Sequence, residues 1–165
     1  FSPTLYQSDA IRNKLDEIVQ DPSSAKANRL SVLLGHENFP QTKTITHVIW
    51  AMYGRLPIGA VQAPHRHQAV ALDLVVECEP GCYTMVGSSL DKDGMIKDGA
   101  RFDWKPGSAF VTPPGLWHSH HNESGSIAHI LPIQDAGLHT YLRTLNILFT
   151  RRKKDGSYEI VTDAS

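Results

Sequence analysis

From Arg29 onward the chain breaks into apolar runs of strand length, each closed by turn residues: RLSVLL, ITHVIWAMY, VALDLVVE, CYTMVG, ARFDW, SAFVTP, SIAHILPI and YLRTLNILFTR. Between them stand Glu79-Pro80-Gly81, Asp93-Gly94 and Pro114-Gly115, residues that suit turns and interrupt ladders. Many short strands at this spacing predict an all-β sandwich or barrel. The closing ILFTRRKKDGSYEIV reads as a hairpin turning at Asp155-Gly156, with its basic run 151–154 as a solvated end.

One stretch carries a different period. In SDAIRNKLDEIVQDPSS, Ile11, Leu15, Ile18 and Val19 follow helical spacing, and Ser8 suits the N-cap. Asp21 precedes Pro22 and is pushed out of the helical region, which ends the helix. The expected organisation is an N-terminal helical segment over 1–28 packing on a single barrel over 29–165. A chain of 165 residues with 41% hydrophobic residues has enough material for that one core. Its net charge of -1 gives no field drawing it to nucleic acid or a membrane surface. No apolar stretch reaches spanning length and no secretory signal is visible, so a cytoplasmic location is expected, although a start at Phe1 rather than Met leaves room for residues upstream. Cys78 and Cys82 flank a turn and read as two free thiols; the 91–94 segment DKDG lacks the rest of a calcium loop and reads as a turn.

The chemistry lies in the histidines. APHRH sets His65 and His67 one residue apart, so on a strand both face the same way. PGSAFVTPPGLWHSHHN does the same for His118 and His120 on a returning strand. In a small barrel the inward positions of different strands converge, and these four imidazoles are expected to reach one point. His36, His47, His129 and His139 stand alone and read as ordinary hydrogen-bonded residues.

Gly59, five residues, His65-x-His67 resembles the first motif of the cupins. Gly107, five residues, Pro113-x-Gly115, two residues, His118, three residues, Asn122 resembles the second at each anchor. The resemblance covers roughly residues 29 to 135 and implies an antiparallel jelly-roll barrel with a metal ion inside. Many cupins carry a glutamate ligand where this chain has Ala71 and Leu72. That leaves three imidazoles, His65, His67 and His118, a neutral set that keeps the full charge of a dication and favours an anionic bidentate oxygen substrate.

HRHQAVALDLVVE and LWHSHHN look like the corresponding segments of gentisate and salicylate 1,2-dioxygenases, which hold Fe(II) on three histidines and cleave a hydroxylated ring. Those enzymes usually contain two cupin domains, whereas this chain has room for one. The resemblance implies Fe(II), with zinc, manganese or nickel as alternatives, and dioxygen as second substrate; a homodimer through barrel edges is expected because an open sandwich leaves strands needing cover. Where the family has an arginine thought to grip the substrate carboxylate, this chain has Asp73, which repels a carboxylate and suits a phenol, a catechol-like or an enolic substrate, or one presenting an amine or hydroxyl. His120 suits a proton shuttle, with donation to a backbone carbonyl as the structural alternative. Trp117, Tyr53 and Arg55 are further candidates for the pocket wall, Arg55 as a replacement cation. Three functions are compatible with this set: a ring-opening Fe(II) dioxygenase, a non-redox zinc-type isomerase, lyase or cyclase, and a ligand-binding barrel without turnover.

Overall fold

The computed structural model describes residues 2–27 and 29–162; Phe1, Asn28 and residues 163–165, which include the limits expected for the two segments, lie outside them. Helix α1 (Ser8–Gln20) opens the chain, and a 3-10 turn follows at Pro22–Lys26. Then come β1 (Leu30–Leu33), β2 (Trp50–Leu56), β3 (Val61–Arg66), β4 (Ala71–Glu77), β5 (Cys82–Gly87), β6 (Ser89–Leu90), β7 (Ile96–Lys97), β8 (Ala100–Asp103), β9 (Ala109–Thr112), β10 (Trp117–Asn122) and β11 (Ala128–Gln134). A short helix α2 (Ala136–Tyr141) precedes the final hairpin of β12 (Leu148–Arg152) and β13 (Tyr158–Val161).

The strands form two antiparallel sheets facing each other. One runs β1-β2-β11-β4-β9, the other β13-β12-β3-β10-β5-β8, and β6 with β7 makes a small separate ribbon. The strands expected next to each other in sequence therefore lie in different sheets, β2 in one and β3 in the other, as a jelly roll requires.

Inward positions change character along each strand, and this sets where the site lies. On β4 they read Ala71, Asp73, Val75; on β11, from the paired end, Gln134, Pro132, Ile130; on β2, Trp50, Met52, Gly54, Leu56. The apolar ends meet as a core of Leu56, Val75, Cys82, Trp104, Ala128 and Ile130, with Phe110 against it. That plug closes one end of the barrel. The other end, lined by the polar members of the same rows, stays open as a cavity.

A second cluster lies outside the barrel. Leu15 of α1 is fully buried with Leu30, Leu34, Ala51 and Tyr53, and Ile11 and Ile18 pack beside it, so the helix covers the back of β1 and β2. Asp21 is extended ahead of Pro22 and its carboxylate accepts the Ser23 N–H, which stops the helix where the proline rule expects. The cap differs from expectation: Gln7 holds the N-cap position, and the Ser8 hydroxyl bonds Asp9 instead.

Two apolar runs also divide differently. In ITHVIWAMY only the part from Trp50 onward is strand, because the Thr46 hydroxyl takes the Val48 and Ile49 N–H groups into a turn. YLRTLNILFTR gives strand only from Leu148; its Tyr141 ends α2. A Cβ on Gly137 would lie 2.8 Å from the backbone of Val48, so α2 can dock on that turn only because this position lacks a side chain. The hairpin folds as read, with Gly156 at φ 87°. Cys78 and Cys82 are free thiols, and Cys82 donates to Asn122 Oδ1 at 3.1 Å. No helix among the described residues is long and apolar enough to cross a membrane.

Candidate metal centre

β3 and β10 are hydrogen-bonded neighbours, with His118 opposite His65 and His120 opposite Gln62. From His118 to His120 is two residues, whereas from Gln62 to His65 is three. The extra residue is a bulge in β3, and it turns both Gln62 and His65 toward the cavity although strict alternation would part them.

His65, His67 and His118 are all buried, and one ring nitrogen of each lies within 4.8 Å of the others. Backbone carbonyls decide which nitrogen is free. Nδ1 of His65 donates to Ala63 O at 3.0 Å, that of His67 to Ala69 O at 2.7 Å, and that of His118 to Leu116 O at 3.1 Å. A carbonyl only accepts, so each Nδ1 carries the proton and each Nε2 keeps its lone pair. Burial holds His65 and His118 well below the usual histidine range, with neighbouring imidazoles adding to the effect, and lowers His67 likewise. Three neutral imidazoles with converging lone pairs are the donor set of a divalent transition metal. These residues fit the ion that such sites hold.

His120 stands beside this set and outside it. Its ring centroid is 5.9 Å from that of His65 and 5.8 Å from that of His118. Its Nδ1 lies 2.8 Å from the Thr84 hydroxyl, which in turn accepts the Trp104 indole N–H at 2.8 Å. The fully buried Thr84 O–H has no other acceptor among the described residues, so it donates to Nδ1 and His120 keeps its proton on Nε2. Burial keeps this ring neutral too.

The cavity around the imidazoles has a volume of about 300 Å³. Arg29, Trp50, Met52, Gln62, Asp73, Pro132, Gln134 and Phe149 contribute to its wall. Arg29 was not a sequence candidate, since it sits just before the first strand without a motif. Its stem passes over Gly54, whose missing side chain leaves Arg29 Cδ only 3.5 Å from where a Cβ would stand. Among the described residues its guanidinium has no hydrogen-bond or ion-pair partner, and burial pulls it down to about 10 against the opposing pull of Asp73. It lines the same cavity as His65, His67, His118 and His120, and its charge adds to the burial that holds all four rings below their usual range.

Asp73 does line the cavity. It is 2% exposed, one oxygen accepts from the Thr112 hydroxyl at 3.3 Å, and burial pushes its carboxyl up to about 6. The other three expected wall residues lie elsewhere. Trp117 alternates with His118 and faces away from the cavity, under the Arg66 guanidinium at 5.0 Å. Tyr53 and Arg55 point to the back of β2, beneath α1, because they alternate with Met52 and Gly54. Arg55 pairs with Asp16 at 2.7 Å and donates to His129 Nε2 at 3.3 Å. The cation of the cavity is Arg29, and Arg55 belongs to the helix contact.

Residues 52–134, about half the chain, match the family described as the cupin domain. The chain belongs to the cupin family. This cupin is 28% identical over 126 residues to gentisate 1,2 dioxygenase 1 of Aquipseudomonas alcaligenes, a match covering 74% of this chain and 32% of that protein. Its fold superposes on the salicylate 1,2-dioxygenase of Pseudaminobacter salicylatoxidans with a TM-score of 0.72, at 19% identity, over 93% of this chain and 40% of the other. A recombinant oxalate oxidase in complex with glycolate superposes with a TM-score of 0.54 at 21% identity, over 70% and 54% of the two chains. The cupin thus spans about a third of its curated relative and well under half of the salicylate enzyme.

Proposed function

We propose that this cupin is a mononuclear metal-dependent dioxygenase, using Fe(II) and dioxygen to open a hydroxylated aromatic or enolic substrate. The observation that carries the reading is the convergence of three buried Nε2 lone pairs in a cavity that also holds an unpaired guanidinium. The resemblance to a gentisate dioxygenase supports the reaction class.

His65, His67 and His118 would hold the ion, which supplies a Lewis-acidic, redox-active centre for chelated oxygens and O2. Because all three ligands are neutral, the site attracts an anionic chelate more strongly than a carboxylate-containing set does. Arg29 adds a second positive charge from the cavity wall and orients an oxyanion of the substrate. Asp73 disfavours a second anion on its own side and accepts a donor there. The proton on His120 Nε2 is held in place through Thr84, which fits a donor that hands a proton to a developing oxyanion. Trp104, Phe110 and the apolar plug exclude water behind it.

The test is anaerobic loading of the protein with Fe(II), followed by oxygen uptake with a panel of hydroxylated aromatics. Stoichiometric oxygen consumption with ring opening is expected. Turnover that is indifferent to oxygen in a zinc-loaded protein would replace this reading with a non-redox isomerase, lyase or cyclase, because three histidines also make a catalytic zinc site. Ligand binding that survives His118→Ala unchanged would mark a binding barrel.

A further inference from the structure

Among the described residues of the cavity wall, Gln62 is the polar side chain left with a buried, unpartnered atom. Gln62 is 9% exposed, and its Oε1 is buried without a hydrogen-bond partner. Its Nε2 lies 3.5 Å from Nε2 of His65, the nitrogen whose lone pair faces the cavity. Gln62 reaches that position through the β3 bulge, which brings it opposite His120 and onto the same face as His65.

The arrangement is poised for a cation. An amide exchanges its oxygen and nitrogen by a half-turn of its last torsion with almost no change of shape. With an ion on His65 Nε2, the Gln62 N–H loses its acceptor and points at a positive charge. The turned amide presents oxygen instead, and no existing bond to Oε1 has to be given up. The spacing agrees: two donor atoms each about 2.1 Å from a tetrahedral ion stand roughly 3.4 Å apart. Asp73 also lines the cavity, but its carboxylate is not among the ligand atoms that converge with His65, His67 and His118.

We propose that Gln62 completes the protein ligand set through Oε1, beside His65, His67 and His118. The inference rests on the metal reading of those histidines. An amide oxygen is a neutral donor, so the ion keeps its full charge for an anionic substrate. It is also a weaker donor than a carboxylate, and a chelating substrate can displace it and gain two adjacent positions.

The experiment is titration of the metal-free full chain with Co(II), comparing the parent with Gln62→Leu, Gln62→Glu and His118→Ala. Affinity is read by chelator competition, the ligand field by visible absorption, and folding by circular dichroism. Gln62→Leu is expected to bind Co(II) about 10- to 100-fold more weakly with an altered spectrum. Gln62→Glu is expected to bind more tightly than the parent and to shift the Co(II) absorption, the sign of a directly bound carboxylate rather than of charge alone. A folded Gln62→Leu with parental affinity and spectrum overturns the proposal, as does a folded Gln62→Glu that binds no more tightly. A parent protein that takes up no Co(II), or binds it equally after His118→Ala, overturns the metal reading itself.

Discussion

Thr84 Oγ1 lies 2.8 Å from Nδ1 of His120, and this one contact sets where that cavity imidazole, beside His65, His67 and His118, keeps its proton. The indole of Trp104 bonds the same oxygen, so the threonine is directed rather than free to rotate.

Thr84→Val keeps the shape and removes both bonds. Unfolding free energy is expected to fall by about 1–3 kcal/mol, the cost of leaving the buried indole N–H and the His120 nitrogen unpaired. Turnover is expected to drop at least tenfold with little change in KM, because the proton is no longer confined to Nε2. Thermal melts and steady-state kinetics on the metal-loaded protein check the two parts separately.

The two arginines make opposite predictions. Arg29→Met is expected to raise KM by about 10- to 100-fold for an anionic substrate, the worth of one charge-assisted bond. Arg55→Met is expected to leave KM unchanged and to lower stability, because its guanidinium bonds Asp16 and His129 beneath α1. Kinetics and chemical denaturation of the pair distinguish substrate contact from helix contact.

Asp73 gives the metal-free protein a pH signature. Its carboxyl is raised from 3.8 to about 6, so the folded state holds a proton that the unfolded chain has already lost between those values. Its contribution to stability therefore falls as pH rises through that window and levels off above it. Asp73→Asn removes the effect. The variant is expected to gain up to about 3 kcal/mol on the parent at pH 7 and little at pH 3.5, from roughly two units at 1.4 kcal/mol each. The histidines act in the other sense: buried and neutral, they cost stability as pH falls below their ordinary value. Taking the difference between parent and variant cancels them, and urea unfolding across pH reads it out.

His118→Ala is expected to abolish stoichiometric metal binding while the protein stays folded. Its ring sits at the open end of the barrel, away from the Leu56, Val75 and Ile130 plug that holds the sheets together. Elemental analysis beside a thermal melt checks both statements.

Much of this was legible in the chain itself. Alternation along a strand put His65 with His67 and His118 with His120, and turn residues between short apolar runs announced a β barrel, because both signals are local and depend only on the pleat. The same alternation, followed consistently, places Trp117 opposite His118, and Tyr53 and Arg55 on the far face from Met52. What stayed hidden was which face of β2 met the cavity and which met α1, since both faces are covered and both are apolar enough to be buried. Helix α2 was masked by the apolar run that follows it, and its docking depends on the close approach of Gly137 to Val48.

By its own residue order, the sequence determined the barrel, the convergence of the histidine pairs and the absence of a carboxylate at Ala71 and Leu72. Tertiary structure alone decided the rest of the site. A one-residue bulge in β3 brought Gln62 round beside His65, and the segment leading into β1 carried Arg29 to the cavity wall. Both outcomes turn on how segments are paired and packed, and no periodicity within a single segment encodes its neighbour's register.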